Sequence, residues 1–204
     1  MEQTSKAIAF GNDRLIVASL NADQNGYEDN AVRVRGLVDI SIDFTQETTP
    51  YPADDNPEYF AVIGAPSGDG TTTFRGMENK DYARFYPVIS GQGKGVHFGA
   101  DNPVKYFGIT FDQKQTVDGV ESINRYIFYK CRATNLPSIA TETISGSSIT
   151  PRDILISISV SPVFYDKGNG TKGRVIFSVF NSIEDPTMFA QFDEGILFPS
   201  VSLE

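Results

Sequence analysis

Residues 32–44, VRVRGLVDISIDF, alternate between apolar and polar side chains almost without interruption. Val32, Val34, Val38, Ile40, Ile42 and Phe44 fall on one side and Arg33, Arg35, Asp39, Ser41 and Asp43 on the other, with Gly36 and Leu37 softening the pattern. A period of two sends successive side chains to opposite faces of a sheet, so the stretch predicts a strand with one apolar and one wet face. At about 3.3 Å per residue it would run for roughly 40 Å, well beyond the usual strand of five or six residues. The pattern returns in DILISISVSPVFY, residues 153–165, where Ile154, Ile156, Ile158 and Val160 oppose Ser157, Ser159 and Ser161. These are the two principal long strands.

The segments between them are shorter or more polar. TQETTPYPADDNPE, residues 45–58, reads as an exposed excursion, because its prolines remove ladder donors and its Asp and Asn residues favour turns. A strand resumes at 59–63, and GAPSGDG reads as a turn into TTTFRG. MENKDYARFY, residues 77–86, predicts a short helix with Met77, Tyr82 and Phe85 on one face and Pro87 as its stop. GQGKG opens a loop over about 88–101. VKYFGITFD and INRYIFYKCRATN alternate like paired strands, forming an antiparallel hairpin across a long polar link, QKQTVDGVES. Another polar loop, about 137–151, precedes the second long strand, and the turn DKGNGTKG leads to its hairpin partner, RVIFSVF. Asp185 before Pro186 and TMFAQF suits an N-cap, a proline at the first helical position and one or two turns of helix.

Composition sharpens this into a mainly β protein. Ile and Val together number 33 against 7 Leu, a bias toward side chains that pack well on a pleated surface and lose rotamer freedom on a helix. The 204 residues form one domain with long loops. A formal charge of −9 argues against a nucleic-acid grip, which draws on Lys and Arg to neutralise phosphate. One cysteine, Cys131, excludes an intramolecular disulfide. Gly11, Asn12, Asp13 and Arg14 interrupt any early apolar run, so no secretory signal is expected, and no stretch of some 18 apolar residues predicts a membrane span.

Chemistry-bearing residues are sparse. With His97 the one histidine, centres built from several imidazoles are excluded within a single chain. Cys131 shares the strand phase of Ile127 and Tyr129 and reads as a buried small hydrophobe. Gly91, Gly93, Lys94 and Gly95 miss the spacing of a phosphate loop, and Asp166 and Asn169 lack the ligand set of an EF-hand. Glu47, Asp54, Asp55 and Glu58 read as a solvated acidic loop. Tyr106, Phe107, Phe111, Tyr126, Phe128 and Tyr129 read as core rather than as a sugar platform. No catalytic residue, cofactor or metal is expected.

VRVRGLVDISIDF followed by YPADDNPEYF, then DNPVKYFGITFD, RYIFYKCRATNLPS and TPRDILISISVSPVFYD, resembles in order and character the major tail proteins of long-tailed, non-contractile bacteriophages, in the group common among phages of Gram-positive hosts. The likeness spans roughly residues 10–198. It implies a tail-tube-type β-sandwich or partial barrel with one or two short flanking helices, forming hexameric rings that stack into a DNA-conducting tube in the virion tail, assembled in the host bacterial cytoplasm. The implied partners are other copies of the chain, the tape-measure protein, the tail terminator and the distal tail proteins, with DNA passing unbound and no membrane contact. Within that frame Asp39, Ser41, Asp43, Ser157, Ser159 and Ser161 are expected to face the lumen, and Glu47, Pro50, Tyr51, Asp54, Asp55 and Pro57 to reach the next ring. Arg33 and Arg35 stand against a neutral or acidic lining, unless they pair with carboxylates across a subunit boundary or sit at the strand's outer end. The competing reading from another class is a β-sandwich carbohydrate-binding or adhesion module on a virion or cell surface, which an exposed aromatic cluster would favour.

Overall fold

A computed structural model describes residues 7–28, 31–53, 56–89, 95–99, 104–138, 153–167, 170–193 and 195–199. In chain order the elements are β1 (Ala7–Ser19), β2 (Val32–Val34), β3 (Leu37–Thr45), β4 (Thr48–Ala53), β5 (Asn56–Ile63), β6 (Ser67–Phe74), α1 (Asn79–Phe85), β7 (Val88–Ile89), β8 (His97–Phe98), β9 (Tyr106–Val117), β10 (Val120–Ala133), β11 (Ile154–Val160), β12 (Val163–Asp166), β13 (Lys172–Val175), β14 (Phe177–Asn181) and α2 (Pro186–Gln191). The chain is mainly β, with one large antiparallel sheet and two short helices.

The large sheet runs β2-β1-β9-β10-β11-β6-β3, with β14 also paired to β10. β10 serves two neighbours on one side: residues 124–128 pair with β14, and a register shift later Cys131, Arg132 and Ala133 pair with β11. β2 and β3 lie at opposite ends of this order, yet only Arg35 and Gly36 separate them in the chain. The sheet therefore curls until its two edges meet, a partial barrel without a closing ladder.

That topology overturns several expectations. Residues 32–44 are not one strand: Gly36, at φ +86°, turns the chain from one sheet edge to the other, and its carbonyl accepts the Arg75 N–H at 2.8 Å. The second long strand is likewise two. Pro162 lies between β11 and β12, and β12 leaves the large sheet to pair with β13. The excursion at 45–58 is largely β structure, because β4 and β5 pair into a hairpin. The long polar link at 113–122 is also strand. β9 and β10 meet at a tight turn where Asp118 and Gly119 both take positive φ, the backbone twist that matches paired strands. Of the loop expected at 88–101, residues 88–89 and 97–98 pair as β7 and β8. The loop at 137–151 and the GQGKG glycines fall mostly outside the described residues.

The core lies inside the curl. Leu15 and Val17 of β1, Phe107, Ile109 and Phe111 of β9, Phe128 and Cys131 of β10, and Ile156, Ile158 and Val160 of β11 form one buried cluster. Phe85 of α1 plugs it, its ring meeting Phe74 at 5.6 Å and Phe107 at 5.2 Å. A second cluster covers the other face of the same strands, where Ile16, Ala18, Ile127 and Tyr129 pack under Phe192 and Ile196. β1 is thus buried on both faces around Leu15–Ala18, which explains its run of apolar residues without alternation. The aromatics singled out in β9 and β10 fill these clusters, with Tyr106 and Tyr126 at their margins.

Candidate functional site

β11, β6 and β3 are adjacent, and beyond a register shift between Leu37 and Asp39 their side chains sort by phase. Inward lie Ile156, Ile158 and Val160, with Thr72 and Phe74 of β6 and with Ile40 and Ile42 of β3 packed behind them. Outward, three rows cross the strands. Asp43 pairs with Asp69 and Asp69 with Ser159; Ser41 pairs with Thr71 and Thr71 with Ser157; Asp39 pairs with Thr73 and Thr73 with Leu155. On the β10 side Arg132 extends the first row through its pairing with Ser159.

The expected Asp39, Ser41, Asp43, Ser157 and Ser159 are therefore brought together on one polar sheet face, and Ser161 follows just beyond β11, its N–H donating to the Lys130 carbonyl at 2.9 Å. Sequence reading missed the strand that joins them. β6 contributes Asp69, Thr71 and Thr73 between the two expected strands, and the phase of those residues was the available signal. Asp43 and Asp69 stand directly opposite each other, an arrangement that weakens a ladder by like-charge repulsion and survives where solvent screens it. Arg33 and Arg35 are not on this face. β2 takes Arg33 to the opposite sheet edge, where it pairs with Asp13 at 3.1 Å, and Arg35 sits at the break.

The second feature is the β4–β5 hairpin. Its base is tied by the Gly64 N–H donating to the Glu47 carbonyl at 2.8 Å, and by Gln46 Nε2 donating to the Gly64 carbonyl at 3.1 Å. Pro50 faces Ala61 and Tyr51 faces Phe60 across the ladder, the two rings 6.5 Å apart. Tyr51, Phe60, Val62 and Ile63 are all exposed, and neither strand packs extensively on any other named element. Asp54 and Asp55 lie outside the described residues; Pro57 is in β5.

Among the described residues no three His, Cys, Asp or Glu side chains gather as metal ligands. Cys131 is fully buried, and burial pushes its thiol well above the ordinary range, so it is a core residue rather than a nucleophile. His97 is exposed in β8.

Against this geometry, the family model described as phage tail tube protein matches residues 1–198. The chain belongs to that family. Relatives named tail tube protein in Lactococcus phage SK1 and Lactococcus phage p2 are each 38% identical to it over 77 residues, 36% of this chain and 26% of theirs. A tail tube protein from Lactococcus phage F4-1 matches to the same extent. The matched segment thus spans about a quarter of the length of these curated relatives. Membership makes the chain a structural tail tube subunit, a component of the virion tail. No helix among the described residues is long and apolar enough to cross a membrane.

Proposed function

We propose that this tail tube protein forms hexameric rings that stack into a hollow tube, with the polar face of β3, β6 and β11 lining a lumen through which DNA passes without specific binding. One observation carries the reading: three adjacent strands place Asp39, Asp43 and Asp69 among Ser and Thr side chains on a face turned away from the core. Carboxylates and short hydroxyl side chains repel or ignore a phosphate backbone, so a polyanion slides along such a wall. The second edge of β3 has no ladder partner among the described residues, which supports lateral pairing with a neighbouring copy; an unpaired edge of this length otherwise invites uncontrolled association.

The hairpin is the element that reaches the next ring. It leaves directly from the end of a lumen strand, exposes two aromatic rings and carries Glu47, Pro50, Tyr51, Asp54, Asp55 and Pro57. Exposed apolar side chains gathered on a projecting element mark an interaction surface. Tape-measure, terminator and distal tail proteins are the further partners in this reading, with assembly in the host bacterial cytoplasm.

Negative-stain electron microscopy of the purified chain over a concentration series, alone and with the tail proteins that initiate assembly, tests it. Hollow tubes of uniform width with sixfold end views are expected. Monomers under every condition, or attachment to a capsid shell instead, would overturn it.

A further inference from the structure

At the end of β3 remote from the hairpin, the break between β2 and β3 opens onto a surface cavity of about 330 Å³. Arg14, Arg33 and Arg35 contribute to its wall against one carboxylate, Asp13. The three arginines are differently committed. Arg14 donates to Asp193 at 2.7 Å and lies 3.9 Å from Asp112, so its charge is used internally. Arg33 pairs with Asp13 at 3.1 Å, both side chains 57% exposed, and a pair so open to solvent exchanges readily with a competing carboxylate. Arg35 is exposed and makes no hydrogen bond or ion pair among the described residues; the nearby Glu78 is taken by Lys80 at 2.7 Å. β1 carries two register irregularities beside the cavity, and Arg14 adopts φ +55° there, so the local backbone is bent rather than a plain strand edge.

The hairpin that follows the other end of β3 carries the complementary charge. β4 ends at Ala53 and β5 begins at Asn56, so Asp54 and Asp55 join the two strands, with Glu58 close behind and no Lys or Arg within residues 48–63. β3 spans nine residues between cavity and hairpin base, roughly 30 Å at strand rise. No residue of the hairpin lines this cavity, and among the described residues neither of its strands packs extensively on another named element, so the hairpin does not fill its own cavity.

We infer that the arginine cavity at the β2–β3 break is the receptor for the acidic hairpin tip of a second copy in the adjoining ring. This rests on the stacked-ring reading above and adds the acceptor to it. A contact that joins opposite ends of identical molecules is heterologous and repeats without limit, as a tube requires. Arg33 and Arg35 supply planar donor forks that match carboxylates, while Arg14 stays with Asp193.

The test is a charge exchange in the full chain, read by sedimentation and electron microscopy of tubes. Arg33→Glu with Arg35→Glu is expected to lower tube yield by about tenfold or more, as facing like charges penalise a contact strongly. Asp54→Arg with Asp55→Arg should do the same alone. Combining all four substitutions in one chain should restore tubes, because each acidic cavity then meets a basic tip. Circular dichroism and unfolding midpoints matching wild type establish that every variant is folded. Wild-type yield from the Arg33→Glu, Arg35→Glu variant would overturn the assignment while leaving the tube reading standing, as would a loss that the exchange does not rescue. A folded wild-type chain that never forms tubes overturns both. Binding of a phosphate polymer by the wild type, abolished by Arg33→Glu with Arg35→Glu while tube yield is unchanged, would reassign the cavity to nucleic acid.

Discussion

Arg125 has a side chain only 2% exposed, yet its charge is met on several sides. Its guanidinium donates to both Asp112 oxygens at 2.7 and 2.8 Å, to the Phe189 carbonyl at 2.6 Å and to Asp193 at 2.9 Å, and lies 3.8 Å from the centre of the Phe189 ring. This one residue fastens α2 and the segment after it to β9 and β10; the helix itself buries no side chain fully, so its attachment depends on this ion cluster, on Phe192 and on the partly buried Met188. Arg125→Met removes both hydrogen bonds from the buried carboxylate of Asp112 and leaves it Arg14 at 3.9 Å, and urea unfolding should show a loss of about 3 kcal/mol, the low end for a broken buried pair. Adding Asp112→Leu should recover part of it, because a paired apolar replacement leaves no buried charge. Asp193 gives a pH signature. Hydrogen bonds from Arg14 and then Arg125 hold its carboxyl below the usual range, so it binds a proton less readily folded than unfolded. Stability from this source is complete above the unfolded value near 4 and is lost as pH falls through the lower folded value. The unfolding midpoint should therefore fall more steeply below about pH 4 in wild type than in Asp193→Asn, by a modest margin since the Asp193 side chain is 53% exposed.

At the scale of the element, alternation was legible and interruption was not. The apolar phase of β11 and the core role of Phe107 and Phe128 follow from period-two reading alone, and the short helix follows from the one-sided Met77, Tyr82 and Phe85 and the Pro87 stop. The break in residues 32–44 escaped because Gly36 sits where the pattern is already soft, and a register shift between Leu37 and Asp39 turns Val38 outward while Leu37 packs on the core. β6 escaped because GDG reads as a turn. Its glycines serve close approach instead: a Cβ on Gly68 would meet the Phe44 ring at 2.8 Å, and one on Gly70 would run into the Ser41 carbonyl oxygen. The polar end of the β9–β10 hairpin escaped for a third reason. Gln115, Ser122, Asn124 and Asn181 hydrogen-bond side chain to side chain across the strands, so polarity there marks a bonded ladder rather than a loop. Gly70→Val should push β3 away from β6 at a cost of about 1–3 kcal/mol. Hydrogen exchange should then quicken at Ile40 and Ile42 while Ile109 and Ile127 stay protected; equal effects in both strand groups would show that β3 is not separately removable.

For the whole molecule, the curl of one sheet gives the chain an apolar inside and a polar outside on the same three strands, and it is the outside that the proposed tube would use. Inward, Ile156 and Ile158 fix β11 against the core, so substitutions at Asp39, Asp43 and Asp69 change charge without touching packing. Replacing all three with Lys should leave the monomer's unfolding midpoint near wild type, since exposed substitutions are usually within about 0.5 kcal/mol and the facing Asp43 and Asp69 merely become facing lysines. Six copies in each ring, stacked many times, would convert the lumen into a basic channel. Tubes assembled from the Lys variant should then hold duplex DNA tightly at low salt and release it as salt rises, with the steep dependence of phosphate neutralisation, whereas wild-type tubes should hold little at either condition. Phage carrying the variant subunit should eject DNA more slowly for the same reason. Variant tubes that neither retain DNA nor slow ejection would place this polar face on the outside of the tube, and would move the lumen to another surface of the same fold.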